Sequence, residues 1–237
     1  MKKFLASALS AAMLLSLLAG CGGGGSSTPA GSTPAGSNPA SSGTPAPAGD
    51  KVIKIGVFEP ASGDSASGGK KETLGIQFAN SETPTVDIGG KTYNVQLVLS
   101  DNGSSTDKAP SAAANLVSQN VAIVLGSYGS GVSMVASDIF KEAGVAAMGV
   151  TCTNPNVTAG NDHYFRICFL DNFQAQILVN FAMEKFDAKV AYCLGEAGNE
   201  YDQGLVAFFK QVFEANGGKV ITDSFPTNNS DFNSYLN

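Results

Sequence analysis

A loop of small polar residues carries the first candidate ligand contacts. Residues 124–133 read VLGSYGSGVS, where an apolar run gives way to Gly and Ser around Tyr128 and a helical pattern resumes at Ser130. A helix that begins there leaves backbone N–H groups and the Ser130 hydroxyl free to face a ligand, and such a terminus favours a compact anion such as a carboxylate. The alternative is ordinary capping of the helix by Ser130 and turn formation by the glycines.

Other chemistry finds little support in the sequence. A G-x-G-x-x-G motif that starts at Gly129 would need its third glycine at position 134, which is Met134. Neither a complete P-loop nor a G-x-S-x-G nucleophile elbow occurs. His163, the single histidine, stands in a polar NDHY turn and is expected to be solvated. No two carboxylates are spaced as an acid and a base. We therefore expect neither an enzyme nor a cofactor.

The cysteines do not indicate a metal site. Cys152, Cys168 and Cys193 contain no C-x-x-C pair, so a zinc site is not expected. Cys168 and Cys193 lie in apolar strand-like runs and are expected to be buried, whereas Cys152 lies in a loop. An exported chain permits a disulfide between Cys152 and either of the others, and the sequence leaves the pairing open.

The N-terminus has the charged, apolar and small-residue zones of a secretory signal peptide over residues 1–20. Its apolar stretch is shorter than the roughly 20 residues that a membrane-spanning helix needs. The residues before Cys21 resemble the lipobox of bacterial lipoproteins, which implies that Cys21 carries a lipid and anchors an exported chain to the outer face of the cell membrane. A plain signal peptide with a chance cysteine is the alternative.

A tether and an acidic globular part follow. Residues 21–50 are rich in Gly, Ser and Pro and contain no side chain large enough to nucleate a core, which predicts a flexible, extended linker. The formal net charge of −6 becomes −8 when Lys2 and Lys3 leave with the signal peptide. Because Arg166 is the only arginine, no basic patch is available and nucleic acid is excluded as a partner.

The globular part alternates between two hydrophobic patterns. Runs rich in Val and Ile predict strands at 52–58, 93–100, 121–127, 145–151, 188–195 and 218–225. Apolar residues three and four apart predict helices at 70–80, 107–119, 130–143, 173–186 and 201–215. Strands buried on both faces with helices between them indicate parallel sheets in an α/β fold. The IGGKTY stretch at 88–93 is typical of a turn that feeds the second strand.

A break near residue 170 divides this pattern into a first lobe, 51–170, and a second lobe, 171–237. The second series is short, and SDFNSYLN at 230–237 predicts a helix that is capped by Ser230 and interrupted after about two turns. We therefore expect the second lobe to be incomplete. In open α/β sheets ligands bind beyond the carboxyl ends of the strands, where the loops of the first lobe are small and polar. These loops read EPASGDSASGG, DNGSSTD, SYGSGVS and TCTNPNVT.

Two stretches resemble the branched-chain amino acid binding proteins of ABC importers: SDIFKEAGVAAMGVTCTNPNVT at 137–158 and YFRICFLDNFQAQ at 164–176. The similarity runs from Lys54 to the end of the chain. It implies the type I periplasmic-binding fold, in which two doubly wound parallel-sheet lobes close at a hinge over a free amino acid. It also implies an ABC permease as the partner and a monomer when the chain is full length.

The resemblance assigns roles to individual residues. Ser130 matches the serine that receives the ligand carboxylate, and Thr151 and Thr153 match the loop whose carbonyl and hydroxyl hold the ligand ammonium. Asp171 matches an acidic residue at the lobe crossover, or it caps the following helix. Tyr201 matches a tyrosine that the second lobe lays over the ligand, or it is a packing tyrosine.

The chain also departs from the family. Gly68 stands where members often present an aromatic side chain, so the pocket is either more open or lined by Tyr128. The acidic residue that completes ammonium binding belongs to a later part of the second lobe and is not in this chain. A branched-chain amino acid is the first expectation, and amides, urea-like solutes, aromatic acids and other amino acids are alternatives. A sensory lipoprotein of the same fold is the alternative to a transport protein.

Overall fold

The computed structural model describes residues 51–236. The strands are β1 (Val52–Glu59), β2 (Thr85–Ile88), β3 (Lys91–Asp101), β4 (Ile123–Gly126), β5 (Ala146–Gly149), β6 (Tyr164–Arg166), β7 (Val190–Glu196) and β8 (Lys219–Phe225). The helices are α1 (Ala66–Glu82), α2 (Ala109–Ser118), α3 (Ser130–Glu142), α4 (Asp171–Phe186), α5 (Glu200–Ala215) and α6 (Asn233–Leu236). The predicted signal peptide, tether and lipidated Cys21 lie outside the described residues.

Six strands form one sheet in the order β2-β3-β1-β4-β5-β6. The central strand β1 pairs in parallel with β3 and β4, and β5 and β6 continue the parallel arrangement. Parallel strands share a direction, so the loops that follow Glu59, Asp101, Gly126 and Gly149 leave the same edge of the sheet. These are the polar loops that the sequence placed at the carboxyl ends of the strands.

The last two strands, β7 and β8, form a separate parallel sheet that runs from the pair Val190 and Lys219 to the pair Glu196 and Phe225. Helix α5 connects them and packs on both, and α4 packs against α5. A small core of Val179, Phe213 and Val220 lies between these helices and strands. The amino end of α5 is thereby held next to the carboxyl end of β7, where a ligand site is expected.

The larger core lies on the first sheet and includes side chains from β1, β4, α2 and α3. Phe58 and Phe140 are fully buried, and their rings meet edge to face with centroids 5.6 Å apart. Leu116 and Val124 are also fully buried in the same cluster. Helix α3 is held by this packing, so the position of its first residue, Ser130, is fixed by apolar contacts more than a turn away.

The structure differs from the sequence prediction in its short strands and in its shortest helix. The turn at 88–93 joins two antiparallel strands, β2 and β3, through Gly89 and Gly90, which both have positive φ angles. Strand β6 has three residues, too few for a periodic signal. Helix α6 begins at Asn233 and not near Ser230, because the Asp231 side chain accepts a hydrogen bond of 2.9 Å from the Asn233 N–H.

Several apolar side chains are exposed within the described residues. Helix α4 presents Phe173, Ile177 and Phe181, which are each more than half exposed, and α1 presents Leu74 and Phe78. No helix between residues 51 and 236 is long and apolar enough to cross a membrane.

Truncation of Phe140 tests the packing that holds α3. We expect Phe140→Ala to lower the free energy of unfolding by about 3–5 kcal/mol, because a buried aromatic ring is lost and a cavity replaces it. Urea denaturation of the complete protein measures this change. Phe78→Ala is the control, since Phe78 is 67% exposed and its loss should change stability by less than about 0.5 kcal/mol. Similar losses for both variants would contradict the described core.

Candidate functional site

Four loops at the edge of the first sheet and the start of α5 enclose a cavity of about 940 Å³. The cavity is lined by Asp64, Ser65, Ser104, Ser105, Thr106, Asp107, Tyr128, Gly129, Ser130, Gly131, Val132, Thr151, Thr153, Phe169, Gln174, Glu196, Gly198, Asn199, Glu200, Tyr201 and Thr227. Five of the six predicted ligand contacts are among them. The sixth, Asp171, lies behind Thr153 and does not line the cavity.

The first turn of α3 forms one wall. Gly129 precedes the helix with a φ of 109°, a conformation that glycine adopts without strain, and no side chain caps this terminus. Ser130, Gly131 and Val132 line the cavity, and helix geometry leaves their backbone N–H groups without intrahelical acceptors. The wall therefore presents hydrogen-bond donors and the positive end of the helix dipole.

The Ser130 hydroxyl is buried and faces the loop that follows β5. Its oxygen accepts a hydrogen bond of 3.2 Å from the Asn154 N–H. This contact uses the oxygen as acceptor, so the hydroxyl proton is available for donation to a ligand oxygen. Ser130 is therefore not a side-chain cap of its own helix, and the capping alternative from the sequence is wrong.

Arg166 shapes the loop that contains Thr153. Its guanidinium donates to the backbone oxygens of Cys152, Asn154 and Pro155 at 2.8–3.1 Å and to the Thr158 hydroxyl at 2.6 Å. These four bonds occupy the only arginine in the chain, which leaves no guanidinium for the ligand. The role of Arg166 is to fix the backbone on which Thr153 stands.

Thr153 and Asp171 leave polar atoms unpaired in a buried place. Thr153 is 6% exposed and Asp171 is fully buried, yet the Thr153 Oγ1 and both Asp171 carboxylate oxygens lack a hydrogen-bond partner that meets standard geometry. The backbone N–H of Asp171 donates 3.1 Å to the Thr153 carbonyl, which holds the two residues side by side. Buried polar groups are normally satisfied, so Thr153, which lines the cavity in front of Asp171, is suited to a ligand that donates a hydrogen bond.

Burial raises the pKa of the Asp171 carboxyl group, although the Thr153 hydroxyl and the Arg166 charge act in the opposite direction. Asp171 is the first residue of α4, and its side chain makes no capping bond. A carboxylate in this position costs stability when it is ionised and unpaired. The helix-cap alternative for Asp171 is therefore not supported by its contacts.

The first two loops are held together by one carboxylate. Asp101 accepts hydrogen bonds from the N–H groups of Ala61, Ser62 and Gly103 and from the Ser62 hydroxyl. Burial acts against the charge, but these hydrogen bonds dominate and lower the Asp101 pKa. Ser65, which lines the cavity, is fixed to the second loop by a bond of 3.0 Å from its N–H to the Ser104 hydroxyl.

Tyr128 occupies the space next to Gly68. A Cβ atom at position 68 would lie 2.5 Å from the Tyr128 ring, so the ring requires glycine there. The sequence left open whether the pocket is more open at Gly68 or lined by Tyr128, and the structure has the second arrangement. Thr151, across the cavity, donates its hydroxyl proton to Glu72 at 2.5 Å.

The second sheet contributes the opposite wall. Asn199 caps α5, its side-chain oxygen accepting from the N–H groups of Tyr201 and Asp202. The Tyr201 hydroxyl accepts a bond of 3.1 Å from Gln174 on α4. Asn154 donates its side-chain amide to the Glu200 carbonyl at 2.9 Å, which links the loop after β5 to the start of α5. Tyr201 thus lines the cavity and its hydroxyl is held by Gln174, while its contact with a ligand stays a prediction.

The charged residues that line the cavity are all acidic. Asp64, Asp107, Glu196 and Glu200 line the cavity, and among the described residues no lysine, arginine or histidine does. A ligand with a net negative charge would meet these carboxylates without a compensating cation. The electrostatics favour a ligand that is neutral overall or carries a positive group.

Among the described residues no cysteine and no histidine lines the cavity. Cys152, Cys168 and Cys193 are free thiols, and Cys152 in the loop is the fully buried one, whereas the other two are partly buried. The sequence predicted burial for Cys168 and Cys193 and placed Cys152 only in a loop; the loop after β5 is held inward by Arg166, so Cys152 is the more buried thiol. Burial raises the pKa of the Cys152 thiol to about 11. The His163 ring contacts Asp162 at 2.9 Å in an exposed turn.

Sequence reasoning missed the residues that carry no motif. Gln174, Asn199 and Glu200 come from helix starts in the second sheet region, and only their folded position brings them to the cavity. Asn199 stands two residues before the predicted helix at 201–215 and has the residue type of an N-cap, a signal that could have located the start of α5 at Glu200. Glu59 and Glu72, behind the cavity, gave no signal in the sequence.

Replacement of Asp171 by asparagine tests how much the buried carboxylate lowers the free energy of unfolding. A group with a raised pKa in the folded state contributes stability that is present below its unfolded pKa and lost as the pH rises through its folded pKa. Because burial raises the Asp171 pKa, the ionised form is the one that lowers stability, and we expect Asp171→Asn to raise the free energy of unfolding of the ligand-free protein by about 1 kcal/mol. Urea denaturation at neutral pH measures the difference. A large loss of stability would mean that the Arg166 charge outweighs burial.

Comparison with known proteins places this chain in a family. A family model described as periplasmic binding protein matches residues 52–237. The Leu/Ile/Val-binding protein BraC3 of Rhizobium johnstonii is 30% identical over 191 residues, which are 79% of this chain and 51% of that protein.

Solved structures agree with this match. The leucine binding protein LivK of Thermotoga maritima has a TM-score of 0.74 and 33% identity over 78% of this chain and 52% of its own. LivJ of Streptococcus pneumoniae, solved in complex with isoleucine, has a TM-score of 0.69 and 30% identity over 78% of this chain and 53% of its own. The chain spans about half the length of these relatives. It belongs to the periplasmic binding protein family and has the type I α/β fold, of which it contains the first lobe and part of the second.

Proposed function

We propose that this protein is the extracellular solute-binding component of an ABC importer and that it binds a free α-amino acid in the cavity between the two lobes, 51–170 and 171–237. The single observation that carries this proposal is the pairing of two opposite polar ends in one cavity. Hydrogen-bond donors at the start of α3 face one side of the cavity. The unpaired hydroxyl oxygen of Thr153, with Asp171 behind it, lies on another side. An α-amino acid carries a carboxylate and an ammonium group that fit these two ends.

The carboxylate end is built from Ser130 and the first turn of α3. The Ser130 hydroxyl has a proton to donate, and the adjacent backbone N–H groups need acceptors. Hydrogen bonds to an ionised group are about twice as strong as those between neutral groups. This end can therefore hold a carboxylate without a lysine or arginine.

The ammonium end is built from the loop after β5. Thr153 offers an unpaired hydroxyl oxygen at the cavity, and Asp171 behind it supplies a negative charge in a place of low polarity. An ammonium group at Thr153 compensates this charge, and Asp171 acts through Thr153 as a positioning residue. Thr151 holds the same loop in place through its bond to Glu72.

The charge of the lining supports an amino acid over an aromatic acid. An aromatic acid carries one negative charge and would leave Asp171 and the carboxylates of the lining uncompensated. A zwitterion brings its own positive group to that side of the cavity.

A branched-chain side chain is the first choice within this class. Val132, Tyr128, Phe169 and Tyr201 provide the apolar and aromatic surface of the lining. The names of the relatives, a Leu/Ile/Val-binding protein and a leucine binding protein, point to the same ligands. No covalent step is needed for this function, and we propose none.

The location of the protein follows from its N-terminal sequence. The signal peptide at 1–20, the lipid on Cys21 and the tether at 21–50 would keep a monomeric binding domain close to the outer face of the membrane. Closure of the lobes over the ligand would give an ABC permease a loaded form to recognise.

A thermal-shift screen of the complete mature protein tests the ligand class. Leucine, isoleucine and valine should raise the Tm, because a ligand at a hundredfold excess over its Kd stabilises the folded state by about 2.7 kcal/mol. In Ser130→Ala and in Thr153→Ala we expect affinity to fall by about tenfold or more, since each change removes a hydrogen bond to a charged ligand group.

The control is Ser118→Ala on α2, whose exposed hydroxyl bonds the Asn115 carbonyl away from the cavity. This variant should keep the shift of the unmodified protein. A shift with an aromatic acid and none with any α-amino acid would reject the zwitterion site while leaving the fold unchanged. An unaltered amino acid shift in both site variants would reject the assigned contacts.

A further inference from the structure

Two glutamates meet behind the cavity where no positive charge accompanies them. Glu59 is the last residue of β1 and is 3% exposed. Glu72 lies on α1 and is partly buried. Their carboxyl groups are within hydrogen-bonding reach of each other. The pair occupies the centre of the sheet edge, because β1 is the central strand.

Each glutamate holds one loop of the ligand site. One oxygen of Glu59 accepts a hydrogen bond of 2.8 Å from the Tyr128 N–H, in the loop before α3. One oxygen of Glu72 accepts from the Thr151 hydroxyl at 2.5 Å, in the loop after β5. The two loops that carry Ser130 and Thr153 are therefore connected through Glu59 and Glu72.

The remaining oxygens of the pair have no other partner. Glu59 Oε1 and Glu72 Oε2 are buried and receive no hydrogen bond from any group in the described part of the chain. Two ionised carboxylates only accept hydrogen bonds and repel each other, whereas one carboxylic acid and one carboxylate form a strong bond. A single proton between these two oxygens satisfies both at once.

The surroundings do not provide an alternative counter-charge. Two other titratable groups lie near the pair: the Tyr164 phenol on β6, whose pKa the Glu59 charge helps to raise, and the Cys168 thiol after β6, whose pKa the Glu72 charge helps to raise. Burial raises the pKa of both groups, so they are neutral near pH 7. Within residues 51–236 no lysine or arginine contributes to the pKa of Glu59.

We propose that Glu59 and Glu72 share one proton and are positioning residues of the ligand site, because their acid–carboxylate bond fixes the loop of Tyr128 and Ser130 relative to the loop of Thr151 and Thr153. Neither residue touches the ligand. Loss of the shared proton replaces the bond by repulsion between two buried carboxylates and moves the two loops apart. The shared proton is independent of the ligand, whereas its effect on affinity rests on the proposed amino-acid-binding function.

The pKa of Glu59 agrees with this arrangement. Burial, followed by the hydrogen bond and charge of Glu72, raises the Glu59 pKa to about 9, and the Tyr128 N–H opposes the shift. The unfolded chain releases the same proton near the ordinary value of 4.5. Between these values the folded state binds one more proton, so the stability that the pair contributes is complete below the lower value and is lost as the pH approaches 9.

The first experiment follows the Glu59 carboxyl carbon by NMR during a pH titration of the complete protein. We expect a midpoint near the alkaline value and a lower midpoint in Glu72→Gln, since the glutamine amide donates to an ionised Glu59. A Glu59 that titrates in the ordinary acidic range would overturn the proposal. So would an unchanged midpoint in Glu72→Gln.

The second experiment compares affinity for leucine, isoleucine and valine at about pH 7 and about pH 10. Glu59→Gln reproduces the protonated form at every pH, because its amide donates to Glu72 and its carbonyl accepts from the Tyr128 N–H. We expect the unmodified protein to lose about tenfold more affinity than Glu59→Gln over this interval. Ionisation of the ligand ammonium affects both proteins equally and cancels in the comparison.

Two further variants separate positioning from general stability. Glu59→Ala leaves the Tyr128 N–H and Glu72 without a partner and should bind weakly at both pH values, while Glu59→Gln should bind normally at neutral pH. Glu82→Gln, at the exposed end of α1, should retain the pH profile of the unmodified protein.

Equal pH profiles for the unmodified protein and Glu59→Gln would overturn the positioning role. If no amino acid binds to the unmodified protein at either pH, the proposed function fails and the NMR titration still decides whether the proton is shared.

Discussion

The parallel pairing of β1 with both β3 and β4 is the constraint on which the proposed ligand site depends. Because the three strands run in one direction, their carboxyl ends deliver three loops to one edge, and β5 adds a fourth. The apolar core under α3, with Phe58 against Phe140, holds this edge rigid. Polar residues at the edge can then be small and can serve the ligand, since packing elsewhere supplies the stability.

Polar groups at this edge are satisfied by neighbouring loops with few exceptions. Asp101 collects four hydrogen bonds from two loops, and Arg166 donates four to the loop after β5. Against this background Thr153 stands out, because its hydroxyl oxygen accepts no hydrogen bond and lies at the cavity with the Asp171 carboxyl behind it. The loops are therefore preorganised, and binding should need little ordering of side chains.

The sequence predicted the long elements and the loops of the first sheet, because hydrophobic periodicity survives in runs such as β1 and α3. It did not predict β2 or β6, whose three or four residues are too short to show a period. Ser130 could be proposed because it stands where a helix begins after a strand, whereas Thr151 and Thr153 were assigned by the resemblance to a known family. The Asn154 link to Glu200 and the pair of Glu59 and Glu72 join residues 46 and 13 positions apart through tertiary packing, for which no local pattern exists.

Asp171 and Glu59 represent two solutions to one physical problem. Both are acids buried at the sheet edge, and burial raises the pKa of each. Glu59 has the Glu72 carboxyl group beside it, so we propose that it keeps a proton. The resulting hydrogen bond between the two glutamates connects two loops. Asp171 has instead Thr153 in front of it and the Arg166 charge nearby, and both act against the effect of burial on its pKa. Of the two residues, Asp171 is therefore the one suited to act through Thr153 on the proposed ammonium group of a ligand, and Glu59 is the one suited to hold the two loops in place.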